Sequence, residues 1–246
     1  MQWSDDGIVL SVRPHAETAA VLELLTRDNG RCLGLVHGGR SRRLRPVLQP
    51  GNRVKAEWRA RLSEQLGTLT VDLEHGYAAE LMEHKLPLLA LECLTTLARL
   101  LPERDPHPAL FEVSLFVLGY LGEPAVWPAL YARWEVMLLA ELGFGLDLAT
   151  CAVTGSDRDL VWVSPRTGRA VSSAAGEPYR QRLLRLPAFL RDPKAGLQGP
   201  DDIRDALALT AWFLESRLYA PRGERLPEVR LRLAASPGLQ GGAAVR

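Results

Sequence analysis

The chain has 246 residues, 47% of them hydrophobic and 24% charged, which supports a folded core and excludes wholesale disorder. Its 30 basic and 29 acidic side chains leave a formal net charge of +1, so affinity for a polyanion must come from where charge lies, not from its sum. There is no apolar run of the roughly 18 residues that a membrane helix needs, no secretory pattern in the acidic start MQWSDDGIVLSV, and no C-x-x-C pair among the three cysteines, so a reduced, cytoplasmic protein without a disulfide framework is expected.

Residues 1–76 read as β-rich. Residues 7–12 and 19–26 form the first two expected strands, with a turn around Pro14. Asn29-Gly30 carries a tight-hairpin signal, and residues 31–37 follow as the third strand. Residues 53–61 alternate cleanly: Val54, Ala56, Trp58 and Ala60 share one face, and Arg53, Lys55, Arg59 and Arg61 share the other. Residues 67–73 make a fifth strand, and five short strands in this span predict a small barrel or sandwich.

Helical spacing begins near residue 77. Residues 78–101 carry leucines at that spacing, with Pro87 expected to kink or split the segment. Residues 109–121 and 127–142 read as two more helices, the last ended by Gly143 and Gly145. Residues 148–173 return to short extended pieces, with a hairpin around Ser-Pro-Arg-Thr-Gly. Residues 201–219 form a final amphipathic helix, with Asp201 and Asp202 at its N-terminus. The expected class is therefore α+β, with a barrel domain over 1–76, a mainly helical domain over 77–233 and a disordered tail over 234–246.

Between residues 37 and 46 the chain reads HGGRSRRLRP. From Arg40 to Arg61 there are eight positive residues (Arg40, Arg42, Arg43, Arg45, Arg53, Lys55, Arg59 and Arg61) against one acid, Glu57. The bland reading is a solvated loop and strand. The functional reading is a phosphate-binding face: glycines let backbone approach a partner, the strand charges align by alternation, and arginine binds phosphate bidentately. Trp58 is expected to point inward, which leaves this face short of stacking aromatics.

Enzyme chemistry finds little support. His37-Gly38-Gly39 is similar to part of an esterase oxyanion loop, but no G-x-S-x-G elbow accompanies it. Walker A, G-x-G-x-x-G and H-E-x-x-H patterns are absent, and the five histidines lack metal-ligand spacing. No catalytic residue, metal or cofactor is expected. In the segment Tyr131 to Leu139, Trp134, Met137 and Leu138 form one helical stripe. It is either core or an open groove for a partner peptide, with Arg133 at the edge for a carboxylate.

Taken in order and spacing, GIVL at 7–10, LLTRDNG at 24–30, GGRSRR at 38–43, LQPG at 48–51 and YARWE at 131–135 resemble the RecO family of bacterial recombination mediators. The resemblance covers all but the last dozen or so residues. It implies an OB-fold followed by a helical domain, binding and annealing of single- and double-stranded DNA, and partnership with RecR. It further implies help in loading RecA onto DNA coated by single-strand binding protein. The helical domain would bind the acidic, Phe-ended tail of that coating protein, and the motif match puts this contact on Arg133, Trp134, Met137 and Leu138. Many members of the family carry a zinc site of two C-x-x-C pairs; the corresponding positions here are Cys151, Thr154, Ser172 and Ala175. That set cannot close a tetrahedral zinc site, so the hairpin at about 148–175 is expected to hold by packing of Val161, Trp162 and Val171. The alternatives are another OB-fold adaptor that binds RNA, or a non-catalytic scaffold.

Overall fold

The structure is a computed structural model that describes residues 1–62, 66–192, 194–197, 199 and 201–239. Five strands close into a barrel: β1 (Gln2–His15), β2 (Ala19–Thr26), β3 (Gly30–Val36), β4 (Arg53–Arg59) and β5 (Thr68–His75), in the order β1-β2-β3-β5-β4. β1 is long enough to serve two neighbours. Its residues Gln2 to Ile8 pair with β4, and Gly7 to His15 pair with β2. A bulge between Val9 and Ser11 bends it from one to the other. The start of this strand escapes sequence reading because Ser4, Asp5 and Asp6 look like a loop. Asp5 is nonetheless buried, because its carboxylate accepts from the backbone N–H of Asp6 and Asp28 and from the Asn29 amide. Those bonds clamp the turn between β2 and β3.

Val9, Leu22, Leu24, Leu48, Val54 and Trp58 are among the residues filling the barrel, and the expected alternation of β4 is what the fold displays. β3 meets β5 in parallel at the single register pair Leu35↔Thr68.

The first compact unit spans residues 1–123 and the second residues 124–246. The first therefore includes α1 (Tyr77–Glu80), α2 (Lys85–Ala98) and α3 (Pro108–Tyr120) beside the barrel. The helical segment breaks at residues 81–84, ahead of Pro87, which sits in the first turn of α2 where a missing N–H costs nothing. α2 packs on β1 and α3 on β2. An ion network tightens this packing: the nearly buried Glu23 of β2 accepts from Ser11 Oγ (2.7 Å), Arg31 (2.6 Å) and Arg99 at the end of α2 (2.8 Å). Arg31 also donates to the Leu101 carbonyl at 2.8 Å.

The second unit is built on α4 (Trp127–Glu141). A sheet of order β7-β6-β8 follows, from β6 (Leu160–Val163), β7 (Ala170–Ser172) and β8 (Leu184–Arg185). Short helices α5 (Ser173–Gly176) and α6 (Ala188–Arg191) flank it, and α7 (Asp202–Leu214) and α8 (Glu228–Ala234) complete the unit. The hairpin expected around 148–175 is present, with Trp162 and Val171 buried and Val161 partly so; β8 adds a third strand to it. The expectation of disorder from residue 234 is corrected in part. Residues Pro237–Leu239 form a turn of 3-10 helix, and Leu239 is buried. Residues 240–246 lie outside the described residues.

Candidate nucleic-acid interface

The connection between β3 and β4 is an ordered frame, not a slack loop. Gly38 takes φ +65, and a Cβ on Gly39 would stand 2.8 Å from the Ala20 Cβ, so the chain turns tightly against β2. From Ser41 it coils: Arg45 N–H bonds Ser41 O at 3.0 Å and Leu48 N–H bonds Leu44 O at 3.0 Å. Helical spacing sends Leu44, Val47 and Leu48 to the barrel core and leaves Arg42, Arg43 and Arg45 exposed. The buried Asn52 closes the frame by donating to the carbonyls of Pro46 (2.8 Å) and Val47 (3.2 Å).

The eight basic residues do not behave alike. Arg40 donates to the Ala16 and Glu17 carbonyls at 3.1 and 2.8 Å and so pins the β1–β2 turn. Arg53 pairs with Asp6 and Glu74 at 3.5 and 3.0 Å, Lys55 with Asp6 at 3.4 Å, and Arg59 with Glu57 at 3.3 Å. The acids Asp6 and Glu74 arrive from β1 and β5, so the strand face is charge-compensated where the sequence window counted one acid. By contrast, Arg42, Arg43 and Arg45 have no carboxylate partner among the described residues, and Arg61 is exposed beyond the end of β4. Breaking an exposed pair costs little, so the difference between the two sets is one of local field: the positive charge of Arg42, Arg43 and Arg45 is not offset by a neighbouring carboxylate and is presented whole to a phosphate. The frame also stands between two clefts. One is lined by His37, Ser41 and Arg43 with Thr68, Thr70 and Asp72 of β5. The other is lined by Arg40, Arg45 and Gln49 with Pro14 and Ala20.

In the second unit the stripe on α4 divides. Trp134 and Leu138 have no exposure and belong to the core, where Trp134 stacks on Tyr131 at 5.9 Å. Met137 is partly buried. Arg133 donates Nε and Nη2 to the Phe189 carbonyl at 2.9 and 2.6 Å and Nη2 to Asp192 O at 3.3 Å, holding α6 against α4. The motif YARWE is thus largely a packing element. Its glutamate, Glu135, is fully buried and accepts from Tyr131 Oη, Thr210 Oγ1 and Arg230. Sequence reading missed this pair because its members stand far apart in the chain.

Cys151, Thr154 and Ser172 do converge. Cys151 Sγ lies 3.5 Å from Ser172 Oγ and accepts the Ser172 N–H at 3.3 Å. Burial pushes the thiol up, but hydrogen bonds from the Ser172 and Thr154 hydroxyls and backbones prevail and bring it down to about 6. One thiolate and two hydroxyls make a poor zinc donor set, and the residues present do not fit that metal. Among the described residues, no group of three or more His, Cys, Asp or Glu could hold a metal ion. No described helix is long and apolar enough to cross a membrane.

Comparison with known families matches the model for "Recombination protein O N terminal" over residues 1–77 and that for "Recombination protein O C terminal" over residues 88–226. A DNA repair protein RecO of Methylorubrum populi is 53% identical over 240 residues, covering 96% of this chain and 98% of the relative. Those of Methylobacterium nodulans and Rhodospirillum centenum are 54% and 56% identical, each covering 94% of this chain and respectively 95% and 93% of the relative.

Proposed function

The chain belongs to the RecO family of DNA repair proteins, and on that premise we propose that it binds and anneals DNA without catalysis through the arginine frame between β3 and β4. The observation that carries this reading is the set Arg42, Arg43 and Arg45, exposed on an ordered turn without carboxylate partners among the described residues. Arginines so held give phosphate its fork-shaped donors without first breaking an ion pair. Charge screening then lowers the repulsion between two strands, and annealing accelerates. Arg40 sets the frame, Arg59 and Arg61 extend the basic surface, and Arg53 and Lys55 contribute least because Asp6 and Glu74 already neutralise them.

In this reading the protein serves a RecF-type pathway in the cytoplasm, with RecR as partner, and helps load RecA onto DNA coated by single-strand binding protein. Recruitment occurs through a contact of the second unit with the acidic tail of that coating protein. The accessible part of α4 supports a modest contact: Met137 offers partly exposed apolar surface, and Arg133 Nη1, without a hydrogen-bond partner among the described residues, faces an incoming carboxylate. Trp134 and Leu138 act by packing beneath it. The test is a strand-annealing assay with fluorescently paired complementary oligonucleotides, comparing the parent with an Arg42, Arg43, Arg45 triple-alanine variant. The variant is expected to lose most of the acceleration. Equal rates would remove the arginine frame from the mechanism.

A further inference from the structure

Three clefts on the barrel adjoin one another. The first lies between the arginine frame and β5, with Arg43 and Thr68 on its walls. The second follows the seam between β3 and β5 and is lined by Leu35, Arg59, Arg61, Leu66 and Thr68, so it shares Thr68 with the first. The third is lined by Gln2, Trp3, Asn29, Trp58 and Arg104, among others. It meets the second across the paired backbones of Met1 and Ala60, which exchange hydrogen bonds of 2.7 and 3.0 Å. The seam is the weak side of the barrel, joined by one parallel register pair and by Leu35 N–H to Gly67 O at 2.9 Å. Arg43, Arg59, Arg61 and Arg104 therefore stand along one track.

The third cleft has a specific chemistry. Trp3 stacks on Trp58 with ring centroids 5.8 Å apart and planes 10° from parallel. Trp58 cannot shift, because its Nε1 donates to the carbonyls of Leu33 and Leu66 at 3.2 and 3.1 Å and Gly67 presses against its indole. Trp3 is only partly buried and lies at the cleft wall. The Arg104 guanidinium stands 5.9 Å from the Trp58 ring centre, with its Nε 3.8 Å from the Glu103 carboxylate. Arg104 takes φ +62, a left-handed conformation that costs about 1 kcal/mol in a residue with a Cβ, and is fixed there by its N–H to Arg31 O at 2.8 Å. Gln2 and Asn29 line the same cleft, Asn29 with its amide nitrogen already donating to Asp5 at 2.8 Å. Flat aromatic surface, a guanidinium and amide groups together suit a planar heterocycle with hydrogen-bonding edges, and the arginine track suits the phosphates attached to it.

We propose that this track carries single-stranded nucleic acid and that the Trp3–Trp58–Arg104 cleft receives one unstacked base, a proposal that rests on the DNA-binding reading above. Stacking on an indole tolerates any base, so the cleft would add affinity without sequence preference.

The test measures anisotropy of a labelled oligo-dT and of an equal-length oligonucleotide of abasic residues, for the full-length parent and for Trp3→Leu, Trp3→Phe and Arg104→Ala, with thermal melting as a control for folding. The parent is expected to prefer the base-bearing strand by about tenfold, in line with stacking of one base. Trp3→Leu should bring the two affinities together while leaving the salt slope unchanged, and Trp3→Phe should keep most of the preference. Three results would overturn the proposal. A parent that binds both strands equally removes the base site but leaves phosphate binding intact. A preference that survives in both Trp3→Leu and Arg104→Ala moves the site elsewhere. Binding of neither strand defeats the DNA-binding reading itself, and the cleft falls with it.

Discussion

Arg230 of α8 grips Glu135 of α4 through two nitrogens, and both side chains are fully buried. Thr210 of α7 and the Leu207 carbonyl complete the cluster, so one ion pair ties three helices of the second unit. Removing one member strands a charge in the core. Arg230→Met and Glu135→Gln should each destabilise the unit by roughly 3–5 kcal/mol, and a double change to apolar residues should recover much of that loss. Urea unfolding followed by circular dichroism checks this, and single variants with unchanged midpoints would contradict it.

Glu23 makes stability depend on pH. Burial pushes its carboxyl up, but the Ser11 hydroxyl, the Arg99 charge and the Arg31 bond outweigh burial and hold its pKa below the ordinary 4.5. A carboxyl with a lowered folded pKa stabilises fully above its unfolded value and loses that contribution as pH falls through the folded one. Glu23→Gln should thus cost about 1–3 kcal/mol at neutral pH, with the gap to the parent closing as pH falls below the ordinary carboxyl value of 4.5 and through the lowered folded one. Melting temperatures across an acid series report the gap, and a constant difference would exclude the ion network as its source.

Salt dependence separates the two halves of the basic segment. Four phosphate contacts at roughly 0.7 each predict that replacing Arg40, Arg42, Arg43 and Arg45 with alanine flattens the log K against log salt slope by about 2–3 on single strands. Arg40 contributes the least of the four, because its nitrogens already serve Ala16 and Glu17. Lys55→Ala should change the slope by well under one, since Asp6 stands beside it. Anisotropy titrations give both values; a larger effect from Lys55 would reverse the assignment.

Two of the three cysteines should titrate far apart. Cys151 sits at about 6, whereas burial pushes Cys32 up to about 12. Ultraviolet absorbance of thiolate should therefore rise near neutrality as Cys151 ionises in the folded protein, and Ser172→Ala should move that step upward. Because the Cys151 pKa is lowered, its contribution to stability is present above the unfolded thiol value and fades as pH falls toward 6. Absence of a thiolate step below pH 8 would rule out the hydrogen-bonded thiolate.

Much of the barrel was legible because its code is local. Val54, Ala56 and Trp58 alternate with charged neighbours, and Asn29-Gly30 marks a hairpin, so short windows suffice. The start of β1 was not legible, since burying Asp5 needs donors from Asp28 and Asn29 besides the neighbouring Asp6 N–H, and no window around residue 5 contains those two. The same limit hid Trp3 as an aromatic at the barrel mouth. Charge misled for a related reason: Arg53 and Lys55 looked free until Asp6 and Glu74 came across from other strands. The stripe on α4 could be drawn from sequence, but whether Trp134 faced a groove or the core depended on elements far along the chain, such as α7, which packs on α4.

The family models part near residue 77, yet the first unit packs as a body through residue 123. A fragment cut at the family boundary would lose Arg99 and the Leu101 carbonyl, and with them one partner of Glu23 and one of Arg31. It would also uncover Gly51, whose missing side chain makes room for Leu91 of α2. Anyone dissecting this protein for spectroscopy should treat the barrel and its first three helices as one excisable piece, and should blame the scissors before the chemistry if a shorter one fails to bind.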